Sequence, residues 1–402
     1  MKEEIQKIEG NSRPAWGAVY AVSLGVSGLI VSEFLPVSLL TPMARDLQIT
    51  AGVAGQAISV TAIVALLAAL FIAVITQKLD RKYVMWAFCL LQVASNLLVA
   101  FAPNFSLLLV GRVLLGIGIG GFWSMAAATA MRLVPKEIVP KALSVIFGSV
   151  SVATVVAAPL GSFLGAHFGW RYVFLLSAAL GVLALVWQLI TLPSMPTDKS
   201  AKLRTLLDLL KRPSIKSGMF ATMLAFMAYA TFITYLRPFL ENIAGVNANI
   251  LSAILLGFGL ANFIGSTLAG YALQWNLQRS LVIAPASLCV IVAALILLGG
   301  HMFIASALIA IWGLIYGVIQ VGWTAWLTQT VPDEAESAGG IQVAVIQLAI
   351  FIGAAMGGIL FDHEGTTGVF SFSSLVALTA AIVAFISFRR GKSRNKQLTQ
   401  TL

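Results

Sequence analysis

Two ionisable side chains, Glu33 and Arg112, fall well inside long apolar stretches of the chain. Ionisable groups are costly in hydrocarbon, commonly face an interior cavity, and mark the path of a proton or a substrate. The stretch 16–40 predicts a helix running outward and the stretch 106–130 a helix running inward. At about 1.5 Å per residue, Glu33 and Arg112 then lie at one depth, about 10 Å below the outer surface. The shared depth predicts an ion pair in which Glu33 carries a proton and Arg112 is its partner. The plainer alternatives are a pair that only fixes helix packing, or a Glu33 in water at a mouth.

Neutral recognition chemistry has more candidates. Trp123, Tyr229, Tyr235, Tyr316 and Trp323 offer stacking faces, and Asn262, Gln320, Gln342 and Gln347 offer hydrogen bonds inside apolar stretches. Together they suit a polar, ring-bearing substrate without charge. For each aromatic the plainer role is packing or lipid contact, whereas a buried amide has to find a partner. His167, His301 and His363 fall in outer loops without metal-ligand spacing, and Cys89 and Cys289 read as small apolar residues. No phosphate-binding glycine loop is present, so nothing points to ATP hydrolysis. A membrane enzyme acting on lipid would need several catalytic groups at one depth, and a single deep acid argues against it.

The elements that must position these residues are membrane helices. Of 402 residues, 59% are hydrophobic and 10% charged, against about a quarter charged in soluble domains. Continuous apolar blocks without period-two alternation favour helices over a barrel. Twelve blocks are legible, near 16–40, 52–76, 83–102, 106–130, 140–166, 172–192, 217–240, 247–273, 280–299, 302–329, 338–361 and 368–388. The segment Met1 to Pro14 is polar and no cleavage site follows the first block, so that block is expected to stay as the first helix. With both termini placed in the cytoplasm, 21 of the 25 Lys and Arg fall on the cytoplasmic side, as the positive-inside rule requires. The net charge of +10 therefore reads as orientation and not as nucleic-acid binding.

The chain also repeats itself. Lys78-Leu79-Asp80-Arg81 is echoed by Asn276-Leu277-Gln278-Arg279, Gly121-Phe122-Trp123-Ser124 by Val321-Gly322-Trp323-Thr324, and Val134-Pro135-Lys136-Glu137 by Val331-Pro332-Asp333-Glu334. All three echoes lie about 200 residues apart, which argues for duplication. The expected organisation is an all-α integral membrane protein with two parallel six-helix repeats, 1–192 and 217–402. A basic cytoplasmic connector, 193–216, joins them, with Ala201 to Leu210 either a surface helix or a solvated linker.

These residues carry a family resemblance along essentially the whole chain. Asp80-Arg81-Lys82, Gly111-Arg112 with Gly116, Gly118 and Gly120, Ala158-Pro159-Leu160-Gly161, and Gly169-Trp170-Arg171 with Phe174 resemble the major facilitator superfamily, in its drug–proton antiporter branch. The resemblance implies a cytoplasmic gate at Asp80, Arg81 and Lys82, and a hinge at Pro159. Two departures bear on these roles: Thr76 replaces a usual glycine before the charged loop, and Ala158 replaces one before Pro159. Narrower segments, among them Glu33 to Pro42, Pro140 to Gly148, Thr234 to Pro238 and Ile341 to Ala349, resemble the branch's exporters of purine ribonucleosides. The chain is expected to be a monomeric transporter in the bacterial inner membrane, without cofactor, metal or catalytic residues, and the narrower resemblance implies what it carries. It would export inosine and guanosine by proton antiport, its partners being substrate, protons and lipid. A sugar or multidrug exporter of the same branch is the alternative.

Overall fold

An apolar segment in lipid has to satisfy each backbone N–H and C=O internally, and the α-helix does so. The computed structural model describes residues 14–135, 138–196, 213–331 and 335–400. Its helices are α1 (Trp16–Asp46), α2 (Ala51–Ile75), α3 (Arg81–Ala100), α4 (Phe105–Leu133), α5 (Val139–Phe168), α6 (Trp170–Thr191), α7 (Pro213–Thr234), the short α8 (Leu236–Asn242), α9 (Ala248–Leu298), α10 (Met302–Thr330) and α11 (Ala335–Gln400). Among the described residues, ten spans are long and apolar enough to cross a membrane. The suggested surface helix Ala201 to Leu210 lies outside the described residues, as does most of the connector.

Polar residues start the helices where the apolar runs begin. Asn104 accepts from the Leu107 N–H at 3.0 Å, Asn247 from the Ile250 N–H at 3.0 Å, and Asp80 from the Lys82 N–H at 2.9 Å, each capping an N-terminus that would otherwise carry orphan donors. The turn from α5 to α6 passes through Gly169 at φ +88°, where a side chain would be strained. Two long helices are interrupted: α9 at Asn276, with φ −168° and ψ 100°, and α11 at Gly365, with φ +67°.

Three apolar clusters hold the bundle. Two are built from residues before 196, around Val22, Leu29, Phe88 and Phe122 and around Leu39, Val99 and Phe174. The third is built mainly from residues after 213, and takes in Val37, Leu40, Ala54 and Ile58 from α1 and α2. Between the two parts of the chain, α2 packs on α11 and α5 on α9. Hydrogen bonds across that seam gather toward one end of the bundle, the end where α1 finishes at Asp46. There Asp362 of α11 accepts from Thr50 Oγ1 at 2.8 Å and from the Gly52 N–H at 3.2 Å. Arg237 also donates to the Ser38 carbonyl there. Asp46 pairs with Arg171 and accepts from Trp170 Nε1 at 3.1 Å. The opposite end carries Asp80.

Close helix approach rests on glycine at a few crossings. A Cβ at Gly120 would stand 2.8 Å from the Ala69 backbone nitrogen of α2, and backbone cannot step aside as a side chain can. Gly120→Val is expected to cost about 1–3 kcal/mol through forced helix separation, read as a lower melting temperature in detergent. Gly148→Val, at a site with nothing within 4 Å, is expected to stay within about 0.5 kcal/mol of the parent. Equal melting temperatures for the two variants would remove the packing argument.

Candidate functional site

Arg112 is fully buried on α4. Its Nε donates to Thr61 Oγ1 of α2 at 3.1 Å and its Nη1 to the Ser32 carbonyl of α1 at 3.0 Å. Nη2 is buried without a hydrogen-bond partner. The next residue after Ser32 is Glu33, half-buried, whose carboxyl feels the Arg112 charge and lies within reach of the Gln347 side chain of α11. Tyr229 of α7 lies within electrostatic reach of the same carboxyl. The expected ion pair is therefore corrected in form: among the described residues, the pairs within 4.0 Å are Asp46–Arg171 and Glu241–Arg237. Glu33 and Arg112 are electrostatic neighbours, with the guanidinium bonded to backbone and hydroxyl and the carboxyl reaching across to α11.

Beside this group runs a cavity of about 510 Å³ between α5, α9 and α10, within the range of small-molecule sites. It is lined by Val150, Ser151, Thr154 and Val155 of α5, Asn262, Phe263 and Ser266 of α9, and Gln320, Val321, Thr324, Ala325 and Thr328 of α10. Toward Glu33 it meets a constriction of about 20 Å³ that shares Thr154, Asn262 and Gln320 with it and adds Phe34, Val37, Tyr229, Phe258 and Tyr316. The Tyr229 and Tyr316 rings are parallel, 3.9 Å between centroids and 3° between planes. Trp312 stacks on Tyr316 at 5.4 Å, and Phe232 on Trp312 at 4.3 Å, so an aromatic ladder ends at the constriction. Gln320 lies near the Tyr316 hydroxyl, and Asn262 Nδ2 donates to the Gly313 carbonyl at 3.4 Å.

Four of the sequence candidates, Tyr229, Asn262, Tyr316 and Gln320, line these spaces. Gln347 joins them through Glu33. The others lie elsewhere. Tyr235 is fully buried, stacks on Phe361, and donates to the Ala354 carbonyl at 3.1 Å. Trp323 is fully buried against Trp326 and Phe388. Trp123 stacks on Phe147, and Gln342 is buried on α11. Pro159 is buried within α5, one residue after the constriction's Ala158. The hydroxyls of Ser151, Thr154, Ser266, Thr324 and Thr328 went unmarked in the sequence. Each satisfies itself on a carbonyl three or four residues back, a pattern common to any membrane helix, so no signal singles them out.

The charged loop is bonded inside its own part of the chain. Asp80 accepts from the Met195 N–H at 2.8 Å, the Lys82 N–H and the Ser194 hydroxyl. Arg81 donates to Thr76 Oγ1 at 3.1 Å and lies against Met125 Sδ, while Lys82 sits over the Trp86 ring at 4.8 Å. Among the described residues no bond of this set crosses to the part after residue 213, so in this conformation it braces α3 against the chain leaving α6.

A model of the Major Facilitator Superfamily matches residues 21–354 and 219–401. The purine ribonucleoside efflux pump NepI of Salmonella typhimurium (strain LT2) is 48% identical over 379 residues, covering 94% of this chain and 96% of that protein. The NepI of Salmonella enteritidis PT4 is 47% identical over the same span. Among solved structures, a D-xylose–proton symporter superposes with a TM-score of 0.77 at 14% identity, over 92% of this chain and 97% of its own. A bacterial homologue of the human lysosomal transporter Spinster, in an inward-facing and occupied conformation, gives 0.75 at 15% identity, over 94% and 98%.

The Asp80 brace has a pH signature. Burial works against its charge, but the Ser194 hydroxyl, the Lys82 and Met195 N–H groups and the Lys82 charge together hold the carboxyl below its ordinary range. A lowered folded-state value means the contribution is present above the unfolded carboxylate value and is lost as pH falls through the folded one. Asp80→Ala is expected to cost about 0.5–2 kcal/mol at neutral pH, as N-cap losses do. The difference from the parent should narrow below about pH 4, checked by melting curves in detergent across pH. A gap that widens in acid would contradict the assignment.

Proposed function

The chain belongs to the Major Facilitator Superfamily, and from that premise we propose that it exports purine ribonucleosides, such as inosine and guanosine, in exchange for protons. It is a transporter and not an enzyme. The observation that carries the coupling is the place of Glu33: a membrane-depth acid on α1, beside the Arg112 charge and within reach of Gln347 of the other part of the chain.

The breaks at Asn276 and Gly365 divide α9 and α11. With α7 and α8 as one span, twelve spans result in two six-helix repeats, 1–192 and 217–402, joined by 193–216. With both termini in the cytoplasm, the Asp80 end is cytoplasmic and the Asp46 end faces outward. The hydrogen bonds at Asp362 and Arg237 then close the outer side, and the cavity between α5, α9 and α10 faces the cytoplasm. The Spinster homologue's inward-facing form agrees with this reading.

A nucleoside suits that cavity chemically. Its base is flat and stacks, its ribose is rich in hydroxyls, and it carries no charge at neutral pH. The Tyr229 and Tyr316 rings, stacked on each other beside the constriction, would part to take the base between them. Asn262 and Gln320 supply both donors and acceptors, and Thr154 and Ser151 face the sugar's hydroxyls. As the substrate enters the constriction it comes near Glu33 and the Gln347 amide. Antiport requires that protonation of Glu33 and occupancy of the cavity exclude each other, which follows if an N–H or O–H of the substrate adds a donor to the carboxylate and leaves Gln347 beside it. Asp80, Arg81 and Lys82 rearrange to close the cytoplasmic side in the other state, with α5 bending at Pro159.

Everted membrane vesicles test this directly. An acid interior should drive uptake of radiolabelled inosine, and Glu33→Gln at equal protein level should lower that uptake by about tenfold or more, as loss of the acid on a proton path predicts. Undiminished driven uptake in Glu33→Gln would remove the carrier role. Sugar or drug flux with no inosine flux would replace the substrate.

A further inference from the structure

The face of α1 turned away from the cavity packs against α3 and α6, and polar side chains fill that interface. Ser32 Oγ bonds Ser177 Oγ at 2.8 Å, and Asn96 Nδ2 donates to Ser32 Oγ at 2.9 Å. Next along the bundle is Gln92, fully buried, with neither its Nε2 nor its Oε1 hydrogen-bonded. Below it Gln188 donates to the Ala21 carbonyl at 3.3 Å and lies near Cys89. Asn96 Oδ1, Ser95 Oγ and Gln188 Oε1 are also buried without partners.

Glycine makes the room. A Cβ at Gly28 would run into the Gln92 amide, one at Gly181 would stand 3.2 Å from Gln92 Nε2, and one at Gly25 would stand 2.6 Å from Gln188 Nε2. A buried amide with both ends unpaired costs several times an ordinary hydrogen bond's net gain, so each such group needs a partner. Internal water is the partner that buried polar clusters ordinarily hold. The orphaned groups are also strung along the helix axes. From Ser32 to Ala21 on α1 is about 16 Å at 1.5 Å per residue, and the line runs from the residue beside Glu33, whose carbonyl Arg112 holds, toward the Asp80 end.

We propose that this seam between α1, α3 and α6 binds a file of water molecules, held by Gln92, Asn96 and Gln188, which carries protons between the Glu33–Arg112 group and the Asp80 end of the bundle. It is separated from the substrate cavity by α1 itself. The proton thus has a route that does not pass through the nucleoside's site, and only relay along hydrogen bonds is involved: each water accepts one proton and donates another. The proposal rests on Glu33 being the carrier.

Gln92→Leu removes both orphaned groups with similar volume. Expected is a melting temperature equal to or above the parent's, inosine counterflow without a proton gradient within about twofold of the parent, and gradient-driven uptake lowered by about tenfold or more. Driven uptake equal to the parent's, or an equal fall in both assays, overturns the seam as a proton route. If Gln92→Leu lowers the yield of folded protein, Gln92→Met repeats both assays under the same criteria. A second measurement needs no substitution. X-ray radiolysis generates hydroxyl radicals from bound water, and Cys89, 3% exposed, should be labelled in the parent; an unlabelled Cys89 overturns the water file. Failure of the carrier reading is seen separately, as counterflow in the parent that no proton gradient alters.

Discussion

The Arg112 guanidinium cannot turn to water, and the first part of the bundle is arranged around that fact. A buried cation left without partners costs several kcal/mol. Its Nε therefore goes to Thr61 of α2 and its Nη1 to the Ser32 carbonyl of α1. Three helices are pinned about one charge. Because the bond to α1 falls on Ser32, the following residue, Glu33, is held at a fixed height and turned from that contact. The carboxyl's position is thus set by a backbone bond next door and not by a direct pair with the arginine.

From there α1 works as a two-faced element. One face, through Gly25, Gly28 and Ser32, lies against the polar side chains of α3 and α6; the other, through Phe34 and Val37, lines the constriction. The seam between the two parts of the chain is held at the Asp46 end by bonds that are few and short-ranged: Thr50 and Gly52 to Asp362, Arg237 to Ser38. The seam is itself glycine-backed, at Gly52 against Gly358 and at Gly259 against Val155. Two bodies that rock about it would slide packed helices past each other, while the exposed Thr50–Asp362 bond exchanges with water at little net cost.

The helices were legible because hydrocarbon imposes one rule on every segment, and the apolar blocks record it. Boundaries shifted outward where polar ends continued the helix, as in α1, which runs to Asp46 and not to residue 40. Glu33 and Arg112 stood out for the same reason, being charges where charge is expensive. Aromatics were less readable: Tyr235 and Trp323 fill crossings, and a tyrosine that packs has the same sequence signature as one that lines a cavity. The partner of Glu33 was legible only as a type. Gln347 could be marked as a buried amide, yet its meeting with α1 depends on how two segments over 300 residues apart are docked, which no local pattern encodes.

That docking bears on coupling. A ligand shifts a two-state equilibrium only by its differential interaction with the two states, so a transporter needs a group whose bonding changes with both the proton and the substrate. Glu33 contacts the second part of the chain through Gln347, and the cavity walls that would hold a nucleoside are mostly on that part: Tyr229, Asn262, Tyr316 and Gln320. On the proposed function, proton handling would lie with α1 and α4, and most polar recognition with α7, α9 and α10. An amide suits the point where they meet. It donates to a carboxylate through its Nε2 and accepts from a carboxylic acid through its Oε1, the atom now unpartnered, so either protonation state of Glu33 can be bonded, but with the amide turned differently. The turn is what the rest of α11 would register.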